Sequence, residues 1–92
     1  MDKVTITAIS RDNCHLCDEA EKIIASVMNE FSNVVMAKKN VEDDVEWRER
    51  YSDHVPVVLV DGREHSTLYV QSESLRRALV HAGGLLSEQK SE

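Results

Sequence analysis

Two cysteines three residues apart, Cys14 and Cys17, constrain the fold of this chain more than any other feature. A short apolar run rich in β-branched residues, 4–9, precedes them and predicts a strand. Apolar residues then recur at three- and four-residue steps over residues 16–31, which predicts an amphipathic helix. The pair therefore lies where a strand passes into a helix, with the first sulfur at the N-terminus of that helix.

A helix N-terminus favours thiolate chemistry at Cys14. The first N–H groups of a helix lack intrahelical partners, and the helix dipole adds partial positive charge there. Arg11 can add a cation, whereas the acidic residues of the first turns oppose the thiolate, so we expect a modest stabilisation. Cys17 lies one turn along the same face, close enough to form a disulfide. These residues predict a nucleophilic Cys14 and a resolving Cys17.

Length, charge and cysteine count exclude several classes of protein. The 92 residues form one domain, and 41% apolar residues suffice for a small core. A net charge of −6 without a Lys/Arg cluster excludes nucleic acid as a partner. We expect no membrane association, because no apolar run reaches spanning length. With two cysteines and no recognisable leader, we expect a cytoplasmic protein, in which such a pair does chemistry or binds metal.

The rest of the chain predicts alternating strands and helices. We expect a strand at 34–39, an acidic turn at 41–44, and a helix at 45–51 whose Trp47 and Tyr51 cover the core. Pro56 opens an apolar strand at 57–60, and Asp61-Gly62 predicts a tight turn. We expect an antiparallel strand at 64–70 and then a helix at 74–82. Ser72 should cap this helix, and Gly83-Gly84 should end it.

The resulting order, β-α-β-α-β-β-α, predicts an α/β fold. We expect a three-layer α/β/α sandwich around a four-stranded mixed sheet whose last strand is antiparallel. The domain should span residues 1–86, followed by a flexible tail at 87–92. Asp12 or Asn13 should cap the first helix. His65 and His81 have no chemical groups of interest around them and are expected at the surface.

With these features the chain resembles the glutaredoxin-like members of the thioredoxin superfamily. The resemblance rests on the cysteine pair after the first strand, on Val55-Pro56 before the third strand, and on the order of elements. It covers about residues 4–82. The run 14–20 is most similar to small bacterial glutaredoxin-like proteins whose active site follows the pattern C-x-L-C-D-x-A.

The resemblance implies a thioredoxin-like fold and a thiol–disulfide oxidoreductase activity. It implies that the Val55–Pro56 bond is cis, packs against the cysteine pair and presents the Val55 backbone to a substrate. Arg11 stands in for a lysine that the family carries three residues before its first cysteine. We expect a monomer without a resident cofactor, acting on a disulfide-bearing protein or small thiol, with glutathione as a candidate co-substrate.

The chain departs from typical glutaredoxins at two places. They carry Pro-Tyr between the cysteines, where this chain has His15-Leu16, and a protonated His15 could tune the redox potential. They also hold glutathione with a Gly-Gly pair followed by an aspartate near the last helix. The matching stretch here, residues 69–74, has neither feature.

Two alternatives stay open at this point. Cys14, Cys17, His15 and His54 offer atom types that bind zinc or an iron–sulfur cluster. Structural zinc sites usually need four ligands, however, and the chain has no second cysteine pair. The other alternative is a non-catalytic thioredoxin-like domain that binds a partner, since a fold alone does not imply activity.

Overall fold

The computed structural model describes residues 3–87, which form a four-stranded sheet between two layers of helices. The elements are strand β1 (Val4–Ser10), helix α1 (His15–Met28), strand β2 (Val34–Asn40), a 3₁₀ turn (Val41–Asp43), helix α2 (Val45–Tyr51), strand β3 (Val57–Val60), strand β4 (Arg63–Thr67) and helix α3 (Ser72–His81). The predicted order and the α/β/α sandwich are confirmed.

The sheet has the strand order β2-β1-β3-β4. Strand β1 pairs in parallel with β2, as expected for a strand–helix–strand unit, and β4 is antiparallel to β3. The strand that reverses relative to β1 and β2 is β3, however, because it pairs antiparallel with both β1 and β4. Helix α2 has seven residues and is about 10 Å long. Strand β2 is about 23 Å long, so helix α2 cannot carry the chain back to the other end of the sheet. Strand β3 therefore starts beside the C-terminal end of β1.

The sheet divides the apolar core into two clusters. The larger cluster lies between the sheet and helices α1 and α3, and includes Ile6, Ile24 and Leu79. The smaller cluster lies on the opposite face and includes Ile9 and Val57. Strand β1 contributes Val4, Ile6 and Ala8 to the larger cluster and Ile9 to the smaller one, so it carries buried apolar side chains on both faces.

Three element boundaries differ from the prediction. Helix α1 ends at Met28, yet Phe31 is still buried, because a tight turn after the helix carries its ring into the larger cluster. Strand β4 ends at Thr67, since Leu68 adopts a left-handed φ of 69° that an extended strand excludes. Helix α3 has Gln71 as its N-cap residue, so Ser72 is the first helical residue.

The last described residues lie along the turn that joins α1 to β2. The Ser32 amide donates to the Leu85 carbonyl at 2.8 Å, and the Ser87 amide donates to the Glu30 carbonyl at 2.7 Å. Residues 88–92 of the expected tail lie outside the described residues. Within residues 3–87, no helix is both long and apolar enough to cross a membrane.

Replacement of Gly84 by alanine should destabilise the fold. A Cβ atom there would lie 2.8 Å from the Leu79 carbonyl oxygen and 3.0 Å from Cδ1 of Phe31. Because both neighbours belong to the packed core, we expect a loss of about 1–3 kcal/mol in the free energy of unfolding, measured by urea denaturation. Gly62→Asn is the control, since Gly62 has open space around it and asparagine tolerates positive φ. Equal losses for both variants would contradict this account.

An ion pair joins the end of α1 to α3. The Arg76 guanidinium donates from Nε to Oε1 of Glu30 at 2.6 Å and from Nη2 to Oε2 at 2.8 Å. This two-bond geometry lowers the pKa of Glu30 below its ordinary value, chiefly through the hydrogen bonds from Arg76. Both side chains are about one-third exposed, so solvent weakens the pair.

The contribution of this pair should depend on pH. A depressed carboxylate pKa stabilises the fold above the ordinary glutamate pKa, and this stabilisation is lost as the pH falls through the folded-state value. We expect Glu30→Gln to lower the urea midpoint slightly near about pH 7 and to leave it unchanged near about pH 2. Glu73→Gln is the control, because Glu73 meets Arg76 in a single 3.7 Å contact and is more exposed. A Glu30→Gln effect that persists in acid would refute the electrostatic explanation.

Candidate functional site

The site begins with a disulfide between Cys14 and Cys17, whose Cα atoms lie 5.2 Å apart. Cys14 is the N-cap residue of α1, and its Sγ accepts a hydrogen bond from the Cys17 amide at 3.1 Å. The expectation that Asp12 or Asn13 caps this helix is therefore wrong. Cys14 is half-buried and Cys17 is 1% exposed, so solvent reaches the first sulfur more readily than the second.

Two side-chain bonds hold the loop that leads to Cys14. The Arg11 guanidinium donates to the Ser52 carbonyl at 2.8 Å, at the C-terminal end of α2. The side-chain amide of Asn40 donates from Nδ2 to the Asp12 carboxylate at 3.4 Å. The residue between this loop and Cys14, Asn13, has a positive φ of 57° that asparagine adopts more readily than most residues. Segments that follow β2 and α2 thus both position the cysteine loop.

The residues next to the cysteine pair form the smaller core cluster. The Val55–Pro56 bond is cis, as the resemblance implied, and Val55 packs in the same cluster as Cys17. Trp47 and Tyr51 pack against this cluster, which confirms that they cover the core. Among residues 3–87, no group accepts a hydrogen bond from the Val55 N–H and no group donates one to the Val55 carbonyl oxygen.

Tyr51 also connects the cysteine side of the molecule to strand β4. Its hydroxyl donates to Oε1 of Glu64 at 3.2 Å. Burial, and then the hydrogen bond to the Glu64 carboxylate, raises the pKa of Tyr51 above its ordinary value. The phenol therefore stays neutral at physiological pH and acts as a hydrogen-bond donor.

The four histidines are spread over the molecule. His15 is exposed, with Nε2 3.8 Å from a carboxylate oxygen of Glu19, and His54 is exposed in the loop before Val55. No group of three or more His, Cys, Asp or Glu side chains within residues 3–87 is arranged to hold a metal ion. The metal-binding alternative thus finds no ligand set in this part of the chain.

The expectation of a surface His65 is wrong. Its ring is half-buried, with Nε2 3.2 Å from the Ser74 hydroxyl, and burial lowers the pKa of His65. The ring forms part of the wall of a cavity of about 400 Å³ between the β3–β4 hairpin and α3, where His81 also lies. No predicted site residue lines this cavity, and the weak pattern of β4 gave no sign of it.

The fold and the site together define a class of protein. A parallel β1–α1–β2 unit, a cysteine pair at the start of α1 and a cis-proline before β3 are the features of a thioredoxin-like fold with a redox-type cysteine pair.

Comparison with known families and structures agrees with this assignment. Residues 5–80 match the model of the glutaredoxin-like domain (DUF836), and the chain belongs to that family. A search of curated proteins finds no match.

Similar solved structures support the fold. Protein Ne2328 from Nitrosomonas europaea, solved by NMR, superimposes with a TM-score of 0.73 at 18% identity, over 85% of this chain and 93% of its own. The X-ray structure of target XcR50 from X. campestris gives 0.67 at 28% identity, over 83% and 96%. A mutant thioredoxin from Halobacterium salinarum NRC-1 gives 0.65 at 16% identity, over 94% and 80%.

Asn40 should matter for the loop that carries Cys14, although its sequence context did not suggest it. Its Oδ1 accepts from the Glu42 amide at 2.8 Å, while its Nδ2 donates to Asp12. We expect Asn40→Ala to cost about 0.5–2 kcal/mol in the free energy of unfolding, since it removes a cap and a bridge together. Asn40→Ser keeps a capping oxygen and should lose less, as measured by urea denaturation. Equal stability of Asn40→Ala and the parent protein would contradict the assigned role.

Proposed function

We propose that this protein is a thiol–disulfide oxidoreductase that reduces or exchanges disulfides through Cys14 and Cys17. The observation that carries the proposal is the hydrogen bond from the Cys17 amide to the Cys14 sulfur at the start of α1. In the reduced protein the same N–H group and the helix dipole would favour a thiolate on Cys14. The family and the fold support redox chemistry of this general kind.

The two cysteines have different roles in this proposal. The Cys14 thiolate attacks one sulfur of a substrate disulfide, forms a mixed disulfide and displaces the other sulfur as a thiolate, which takes up a proton. The Cys17 thiolate then attacks the Cys14 sulfur of the mixed disulfide and releases the second substrate thiol. The protein ends oxidised and the substrate reduced by two electrons. The difference in burial supports this order, since the first attack needs an accessible sulfur.

Neighbouring residues have supporting roles. The partnerless backbone groups of Val55, held beside Pro56, can pair with an extended substrate chain. Arg11 acts by holding the cysteine loop against the end of α2, and its charge would also favour a thiolate nearby. A protonated His15 would add to this effect. We place the activity in the cytoplasm, carried by a monomer without a resident cofactor.

Serine variants test the two cysteine roles separately. Cys14→Ser should abolish disulfide exchange, because no accessible thiolate remains. Cys17→Ser should accumulate a mixed disulfide with the substrate, because nothing displaces the bound half. Mass spectrometry of the intact protein after incubation with a model disulfide measures both outcomes, and circular dichroism checks that each variant is folded. Exchange by folded Cys14→Ser, together with no adduct on Cys17→Ser, would reverse the role assignment.

A redox titration tests whether the pair works reversibly. Alkylation and mass spectrometry across a glutathione redox series should show a two-electron transition within the range of known oxidoreductases, about −180 to −270 mV. Cysteines that stay reduced throughout the series would exclude the oxidoreductase and favour a partner-binding domain.

A further inference from the structure

The surface around the cysteine pair carries an unbalanced negative charge. Five exposed aspartates lie in three segments: the start of α1 with the loop before it, the turn after β2, and the loop before β3. None of them forms an ion pair with a basic side chain within residues 3–87. These aspartates are Asp12, Asp18, Asp43, Asp44 and Asp53. Arg11 is the lysine or arginine nearest to Cys14 along the chain.

The fold brings these aspartates to the cysteine end of the sheet. Asp12 and Asp18 flank the cysteines in the chain, and Asp53 precedes Val55, which packs with Cys17, by two residues. Asp43 accepts a hydrogen bond from the backbone N–H of Asn40 at 3.2 Å, and Asp12 accepts one from the Asn40 side chain. Both carboxylates therefore lie beside Asn40. Asp44 is the next residue and caps α2.

Hydrogen bonds from neutral groups leave these charges in place. Asp43 and Asp44 accept only from backbone amides and Asp12 only from a side-chain amide, so no cation is paired with any of the three carboxylates within residues 3–87. Among the nearby basic side chains, Arg48 pairs with Glu42 and Lys38 with Glu21, whereas Lys39 and Arg50 form no ion pair within residues 3–87. The five aspartates still outnumber Arg11, Lys39 and Arg50, so the charge of this surface stays negative. A field of this kind raises the local concentration of cations and repels anions.

We infer that the protein acts on disulfides flanked by basic residues in an extended polypeptide, and disfavours anionic disulfides such as glutathione disulfide. This inference rests on the proposed function and names its substrate class. The partnerless backbone groups of Val55 favour a polypeptide, and the five aspartates favour basic side chains on it. Glutathione carries one more carboxylate than ammonium group, so its disulfide is repelled.

Three peptide disulfides that differ only in their flanking residues test the inference. The flanking residues are lysine, glutamine or glutamate, and the measured quantity is the rate constant for oxidation of the reduced protein. Each rate constant is divided by the rate constant at which a free uncharged dithiol reduces the same peptide disulfide. This division removes differences in the intrinsic reactivity of the three peptides. Near about 10 mM salt we expect the lysine peptide to react at least about tenfold faster than the glutamate peptide. Near about 1 M salt the ratio should approach one, because the Debye length falls to about 3 Å.

Single charge removals provide the matched variants. Asp18→Asn and Asp53→Asn should each lower the lysine-to-glutamate ratio at low salt, since neither carboxylate has a hydrogen-bond partner within residues 3–87. Asp61→Asn is the control. Asp61 accepts from the Thr5 amide at 2.9 Å near the start of β1, roughly 20 Å from the cysteine end along that strand. Asparagine keeps an acceptor oxygen and tolerates the positive φ of this position.

The possible results separate the two levels of the proposal. The charge selectivity would be overturned if the lysine-to-glutamate ratio did not depend on salt, or if Asp18→Asn, Asp53→Asn and Asp61→Asn changed it equally. If the glutamine peptide still exchanged its disulfide in that case, the proposed oxidoreductase function would stand. A lack of reaction with all three peptides would overturn the proposed oxidoreductase function itself. A glutamate peptide that reacts fastest at low salt would reverse the inferred substrate class.

Discussion

Burial of β1 on both faces is the constraint on which the rest of this structure depends. Ile6 and Ala8 face the helices α1 and α3, while Ile9 faces the opposite side. A strand with two apolar faces must lie inside a sheet and be covered by two layers, which fixes the sandwich. Because Cys14 follows this strand within four residues, the same burial fixes where the cysteine pair lies.

Sequence reasoning succeeded where local patterns and local chemistry agree. The cysteine pair, the apolar run of β3 and the single proline each lie in an element whose period or punctuation is clear. It failed where a contact between distant segments decides the outcome. Asp12 does not cap α1 but accepts a hydrogen bond from Asn40, 28 residues away, and the sulfur of Cys14 caps the helix. The direction of β3 depends on the length of α2 relative to the strands, a comparison that no single segment contains.

The same distinction applies to the candidate site. The position of Cys14 and Cys17 at the start of α1 could be predicted from their spacing, and the cis Val55–Pro56 bond was implied by the resemblance. Three side-chain contacts around the site could not be predicted, because each joins segments that meet only after folding. These contacts are Arg11 with Ser52, Asn40 with Asp12, and Tyr51 with Glu64. His65 was missed for a similar reason: the polar sequence of β4 suggests exposure, but α3 covers one side of the strand.

The position of Cys17 joins stability to the proposed chemistry. Its side chain belongs to the smaller cluster, where it contributes as a small apolar group, so its sulfur has little access to solvent or to bulky reagents. A buried second thiol can still react with a mixed disulfide on Cys14, because the two residues are one helical turn apart and the reaction is intramolecular. An external thiol must instead approach past the five aspartates, which form no ion pair within residues 3–87 and repel anionic reagents. Burial and charge therefore act in the same direction, since both favour resolution by Cys17 over release by an anionic thiol such as glutathione.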